Sequence, residues 1–552
     1  MTPPLGSSVA VLIATLLVAC SSPAARETST SNVQPAGDVW VGTILASGGR
    51  SVRLTLSGPG RSTGTMEYPN VAGSKPMPLT ESRWSGGKVH IAWSDDDGKA
   101  TIEGTVARGS ISGRFRQGND SSAAHLIRGA NVDSAGFARL SGLYELESGH
   151  VVWVGPLSEL GGATGYVDSR TGIAGLLFPM AGGKFVRGAT SLSPVPASSH
   201  LDTHSSSASA PLVLLWHDGA MTHAGAGRLD TYTTEDVAFD NGPVKLSGTL
   251  IKPKGAGPHP AVVLIHGAAA QRRTYFSGLP YFLANAGVAA LIYDKRGVGR
   301  STGNRRTSKF TDFADDAVAG VRFLQRRSDI AREKVGVYGH SQGGWHAQLA
   351  ATRSSGDVAF AVIAAGSAKN YQDQTNDEVL SSMRFVGASD DDLRKAREHQ
   401  NLYWRVVRRQ APYDSLAAST RRAREDSWGR FVRKPASAAE VLGDTLEYVD
   451  PAPVLAKLTV PVLALYGSND IRVNSRENAA LLQDALRRAG NRNVTVKILP
   501  GVDHDFWQAR TLTARDLEGT RGYAHNFFPT VIDWILKQTR PAPARTPAAR
   551  RR

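Results

Sequence analysis

Apolar and polar positions alternate with a period of two from Asp38 to about Gly129. The stretch "SVRLTLSG" puts Val52, Leu54 and Leu56 on one face, with Arg53 and Thr55 on the other. "KVHIAW", "ATIEGTV" and "SISGRF" are similar short runs separated by Gly, Asp and Ser clusters. Many short strands between turn signals predict an antiparallel sandwich or barrel. A second strand-rich segment follows from about Ala138 to Arg228, with "GLYELES", "HVVWVGPL", "IAGLLFPM" and "APLVLLW". Within it, "SPVPASSHLDTHSSSASA" reads as a loop or linker. No exact repeat relates the two segments, and the pattern leaves one β domain or two open.

From about Thr231 the texture changes. Apolar, β-branched runs alternate with longer helical patterns: "AVVLIHG", "VAALIYDKRG", "KVGVYGH", "VAFAVIAAG", "VPVLALYG" and "VTVKILPG". Strands apolar on both faces, separated by helices, predict a mostly parallel, doubly wound α/β sheet covered on both sides. Between two of these strands lies a helix-rich, strand-poor insertion, far longer than a simple crossover needs. The layout is a β-rich region at 38–230 and an α/β domain at 231–370 and 451–540. A helical cap is inserted at 371–450.

The stretch "VGVYGHSQGGWHAQLA" carries the chemistry. Gly339-His340-Ser341-Gln342-Gly343 fits G-x-S-x-G, with a strand before it and a helix after it. A serine that projects from so tight a turn leaves no room for side chains at the two flanking positions. The helix N-terminus also points its positive dipole at the hydroxyl. Serine is a weak nucleophile and needs a base oriented by an acid. Two later strands end in "YGSNDIRV" and "LPGVDHDFW". They bring Asp470 and His504 to the carboxyl edge of a parallel sheet, where sites gather. Asp470 also suits a turn, since Asn-Asp is good turn chemistry. Asp503 and Asp505 adjoin His504 and reach its far nitrogen awkwardly, and His340 and His346 are constrained by the serine's own turn and helix. The tetrahedral intermediate needs aimed donors. The backbone N–H groups of Gln342 and of Ala268, just after "AVVLIHG", are the candidates.

"PHPAVVLIHG", "YDKRGVGRSTG", "VGVYGHSQGG", "VPVLALYGSND" and "LPGVDHDFW" occur in this order. Together they resemble the alpha/beta-hydrolase family, nearest its esterase and serine-aminopeptidase-like branches, over about residues 232 to 538. The resemblance implies nucleophile, acid and base at Ser341, Asp470 and His504. It implies an acyl-enzyme mechanism with no cofactor, acting on a small ester or a short peptide. It also implies that "DKRGVGRS" is a structural loop beside the site. "VWVGTI", "GSISGRF" and "AAHLIRG" resemble an N-terminal module found before bacterial esterase-like members. A peptidase reading would need cap acids such as Asp377 and Glu378 to hold a substrate ammonium. A non-catalytic surface scaffold is the third reading, and the triad order opposes it.

Composition adjusts this picture in three places. The 552 residues exceed one core and call for two or three domains. The formal net charge of +15 is partly carried by the tail at 541–552, and no nucleic-acid motif accompanies it, so nucleic-acid binding is disfavoured. No dinucleotide or P-loop glycine pattern and no H-E-x-x-H metal spacing occurs. The single cysteine, Cys20, excludes an internal disulfide. It follows an apolar run from Val9 to Ala19 that is too short to span a bilayer and has the length of a signal-peptide core. Leu17-Val18-Ala19-Cys20 resembles the lipobox of bacterial lipoproteins. That implies a signal peptide at 1–19, lipid on Cys20, a flexible tether at 20–37 and anchoring in the cell envelope. Ser21 after the cysteine favours the outer membrane. "MTPPLGSS" departs from the pattern, because it lacks the usual Lys or Arg, and the alternative is an ordinary cleaved signal peptide that leaves a soluble periplasmic protein.

Overall fold

Short alternating strands form two separate sheets in the first half of the chain, seen in a computed structural model. The structure describes residues 38–540, apart from 45–49, 70–74, 119, 131–133, 159–161, 182–183, 189–198, 205–212, 219–220, 436, 439–440, 442–450 and 509–519. Cys20 with its leader and tether, and the basic tail, lie outside the described residues.

Eight antiparallel strands, from β1 (Asp38–Ile44) to β8 (Asp120–Arg128), close into a barrel as β8 pairs back onto β1. Closure removes the unpaired sheet edges. The inward face of the period-two pattern fills the interior: Val52, Leu54 and Leu56 are buried with Trp40, Met66, Trp93 and Phe115. Trp93 donates its indole N–H to the Tyr68 hydroxyl (2.9 Å), which donates to Asp95 (2.8 Å), so the polar atoms of these two rings are satisfied.

After the short helix α1 (Ser134–Leu140), nine strands form a second antiparallel sheet. It runs from β9 (Gly142–Leu146) through β10 (Val151–Leu157), β11 (Ala163–Asp168) and β12 (Ala174–Leu176) to its last strand, Met221–Arg228.

The C-terminal α/β unit follows. Its strands are β18 (Tyr232–Asn241), β19 (Val244–Pro253), β20 (His259–Ile265), β21 (Ala289–Tyr293), β22 (Ile330–His340), β23 (Ala361–Ala364), β24 (Val462–Gly467) and β25 (Val494–Leu499). Their order across the sheet is β18-β19-β21-β20-β22-β23-β24-β25. The pairs from β21 to β25 are parallel, and the first two strands are antiparallel. Alternate residues of each strand face opposite layers. Val262 and Leu264 pack under α2 (Leu279–Asn285) and the C-terminal helix Phe527–Thr539. Ala261, Val263 and Ile265 pack under α3 (Phe310–Gln325) and α4 (Gln342–Arg353). The cap consists of α5 (Tyr371–Phe385), α6 (Asp390–Val407) and α7 (Tyr413–Glu425). Side chains of Asn370 and Ser389 cap α5 and α6 by accepting from Asp373 N–H and Asp392 N–H. Tyr403 and Trp404 are buried within the cap's own core.

The nine-stranded sheet shares one apolar core with the α/β unit. Trp153 of β10 stacks on Tyr281 of α2 at 5.6 Å, and Leu157 and Val167 join the same cluster as Leu279 and Phe282. Ser158 donates to the Thr274 carbonyl (2.7 Å). Ala174 N–H donates to the Arg521 carbonyl (2.9 Å) and Tyr523 N–H to the Gly172 carbonyl (2.8 Å), around an antiparallel bridge of Ile173 with Gly522. Trp153→Ala should therefore destabilise both units together. The expected loss is about 3–5 kcal/mol, read as a common shift of the urea midpoints of sheet and α/β unit.

Candidate active site

The strand-to-helix turn between β22 and α4 sets Ser341, the candidate nucleophile. Ser341 adopts φ 56°, ψ −122°, a left-handed conformation that few non-glycine residues take. Its N–H donates to the Ala364 carbonyl (2.8 Å) and its carbonyl accepts from Gly344 N–H (2.8 Å), so the turn is tied on both sides. A Cβ on Gly339 would lie 2.0 Å from the Gly343 carbonyl oxygen, and one on Gly343 would lie 2.4 Å from that of Ile265. No side chain fits at either position. Strand and helix can meet this closely only through glycine, and their meeting leaves the Ser341 hydroxyl projecting.

The loops after β24 and β25 bring the other two groups. His504 Nε2 lies 2.8 Å from Ser341 Oγ, and His504 Nδ1 lies 2.8 Å from Asp470 Oδ2. A carboxylate accepts, so Nδ1 carries the proton and Nε2 is the free acceptor for the serine hydroxyl. The other oxygen of Asp470 accepts from Arg472 N–H (2.8 Å) and Val473 N–H (2.9 Å), which fixes its direction. Gln374 of α5 donates to the Arg472 carbonyl (2.6 Å), joining cap and acid loop. The three residues predicted from chain order thus meet at the carboxyl edge of the sheet. Asp503 and Asp505 do not hold the imidazole. Asp503 instead accepts from the N–H groups of Asp505 (3.0 Å) and Trp507 (2.9 Å), shaping the turn that carries His504.

Burial pulls the His504 pKa down, but the Asp470 charge and hydrogen bond outweigh it and leave the value raised above that of an ordinary imidazole. Burial, then the charge of Asp505, pushes Asp503 up to about 7. His340 is lowered by burial and is neutral. Its Nε2 donates to the His504 carbonyl (3.1 Å), and its Nδ1 accepts from the Tyr275 hydroxyl (2.8 Å). His340 is therefore a brace for the His504 loop, turned away from Ser341. Tyr275 belongs to no motif, and nothing in the sequence marks it.

Gln342 is the first residue of α4, where N–H groups have no intrahelical acceptor. Ala268 follows β20, and the glycine before it abuts the nucleophile: a Cβ on Gly267 would lie 3.4 Å from Ser341 Cβ. His346 is fully buried, stacked on Phe313, and distant from the chemistry in role. Among the described residues, no group of three or more His, Cys, Asp or Glu side chains could hold a metal ion.

Residues 256–510 match the family described as serine aminopeptidase, S33. The eight-stranded α/β unit has the alpha/beta-hydrolase fold. Over 266 residues the chain is 26% identical to Esterase EstD of Thermotoga maritima, covering 47% of this chain and 57% of that esterase. Over 129 residues it is 30% identical to the quorum-quenching protein AidA of Acinetobacter baumannii, covering 23% and 42%. The chain thus spans about half the length of these curated relatives. Among solved structures, the Pyrococcus furiosus esterase PF2001 gives a TM-score of 0.36 at 18% identity, over 56% of this chain and 91% of that one. The proline iminopeptidase of Mycobacterium smegmatis gives 0.37 at 18% identity, over 55% and 98%. The β barrel precedes the matched segment, and the loop that bridges to Ile173 lies C-terminal to it within the α/β unit.

An NMR titration of His504 should give a midpoint above that of a free imidazole, so that the ring keeps its proton to higher pH than usual. Asp470→Asn removes the charge that raises it, and the midpoint should fall.

Proposed function

We propose that this protein is a serine hydrolase that cleaves carboxylic esters through an acyl-enzyme. The observation that carries the reading is the continuous hydrogen-bond chain from Ser341 Oγ through His504 to Asp470. Ser341 Oγ attacks the ester carbonyl while His504 Nε2 takes its proton. The tetrahedral oxyanion is held by the N–H groups of Gln342 and Ala268. Its collapse expels the alcohol, which receives the proton from His504. Water, deprotonated by the same nitrogen, then releases the acid and restores the serine. Asp470 keeps the imidazole in the correct tautomer and stabilises its charged form.

A peptidase uses the same three groups, and the family description favours that second reading. The cap acids that would hold a substrate ammonium are engaged elsewhere. Asp377 pairs with Lys369 at 2.5 Å, and Glu378 faces Arg472 at 3.9 Å. This, with the esterase relative, supports esters over N-terminal peptides. We also propose envelope anchoring through a lipid on Cys20, which the lipobox-like leader supports.

Turnover of p-nitrophenyl butyrate should exceed that of Ala- and Pro-p-nitroanilide, and the reverse order would favour the peptidase. Ser341→Ala should lower kcat by about a million-fold and Asp470→Asn by about ten-thousand-fold. Cells fed labelled palmitate should label the wild-type protein and not Cys20→Ser. Equal labelling of the two would remove the anchor.

A further inference from the structure

Lys295 is the second residue of "DKRGVGRS" and is only 3% exposed. Among the described residues its ammonium bonds main-chain carbonyls: Gly267 at 2.5 Å, Ala268 at 3.4 Å and Ala269 at 3.5 Å. The face of Phe313 lies 4.8 Å away on α3. The Lys295 N–H also donates to the Gln271 carbonyl (3.3 Å). Both the backbone and the side chain of this one residue therefore hold the loop from Gly267 to Gln271.

The Gly267 carbonyl and the Ala268 N–H are the two ends of one peptide unit. That unit is trans, so its C=O and N–H point in opposite directions. A cation fixed on the carbonyl aims the N–H away from itself. Gly267 adjoins Ser341, a Cβ on it lying 3.4 Å from Ser341 Cβ, so this peptide unit borders the serine. The same cation withdraws electron density along the amide, which makes the N–H a stronger donor, as charge-assisted bonds and linked hydrogen bonds do.

We propose that Lys295 is a positioning residue for the oxyanion donor: its ammonium orients and polarises the Gly267–Ala268 peptide toward the developing negative charge. The proposal rests on the ester-hydrolase reading and extends it to the control of that site.

The surroundings make this control sensitive to pH. Burial, aided by the charge of Arg305 and opposed by Asp316, brings Lys295 down to about 7. His266 at the end of β20 is pushed to about 3, first by burial and then by the lysine's charge. His346 on α4 is lowered well below its ordinary value by the same causes. Both rings are neutral. Asp294 is occupied by Arg273 and Asp316 by Arg296, so neither carboxylate closes on the ammonium. Activity should rise as His504 loses its proton and fall as Lys295 loses its own.

The test compares purified wild type, Lys295→Met, Lys295→Arg and Ser341→Ala on p-nitrophenyl butyrate from about pH 6 to about pH 9. Far-UV circular dichroism checks each fold. Lys295→Met should lower kcat by about 10- to 100-fold with KM changed less than about threefold, and should lose the alkaline fall. Binding of a trifluoromethyl ketone, whose serine adduct carries the oxyanion, should weaken by a similar factor. Lys295→Arg keeps a cation that does not titrate in this range, so it should stay active without the alkaline fall. A folded Lys295→Met with kcat within about twofold of wild type overturns the proposal. Should the methionine variant not fold, an alkaline fall that persists in Lys295→Arg overturns it. Full turnover in Ser341→Ala would instead sink the ester-hydrolase reading, leaving these two failures distinguishable.

Discussion

The chemistry of this protein depends on how closely one strand approaches one helix. The carboxyl end of β22 meets the first turn of α4 at a distance that only glycine at 339 allows, α4 meets the end of β20 as closely at Gly343, and Ser341 is held at a positive φ. Such a conformation costs on the order of 1–3 kcal/mol and persists only where surrounding structure enforces it. Here the enforcement comes from two backbone hydrogen bonds and from the burial of α4 against the sheet through Trp345, Ala347 and Leu349. Because the sheet is parallel, the loops after β24 and β25 open on the same edge. Asp470 and His504 need only the short turns after those strands to reach the serine.

Around this turn the molecule is braced from three directions. The cap touches the acid loop through Gln374. His340 and Tyr275 support the His504 loop from beneath. The nine-stranded sheet adds a one-residue strand pairing to the segment after His504, at Gly172, Ile173, Gly522 and Tyr523. That sheet also bonds the turn carrying Tyr275 through Ser158. Its place is therefore that of a buttress whose apolar core is continuous with the hydrolase domain, rather than a spacer. The barrel has a filled interior of its own, and Val41 and Ile127 of its strands join the continuous core.

Much of this was legible in the sequence because it is local. The period-two pattern around Val52, Leu54 and Leu56 points to inward faces, and the G-x-S-x-G context points to the elbow. The order of Ser341, Asp470 and His504 follows from which strands end in which loops. Closure of the barrel was open between sandwich and barrel, because pairing β8 with β1 joins residues some eighty positions apart and leaves no local mark. The support of the site was hidden for the same reason. Tyr275 and Lys295 act through contacts with segments distant in the chain, and Ile173 through main-chain atoms that carry no residue identity. His340 stood out as a histidine beside the nucleophile, yet its direction depends on a carbonyl 164 positions away.

The proposed chemistry requires Ser341 to be the nucleophile of an acyl-transfer reaction. Intact-mass measurement and peptide mapping after reaction with a fluorophosphonate test it most directly. One adduct per chain is expected, on the peptide that carries Ser341. An adduct on another residue, or no adduct in a preparation that still hydrolyses esters, would contradict it.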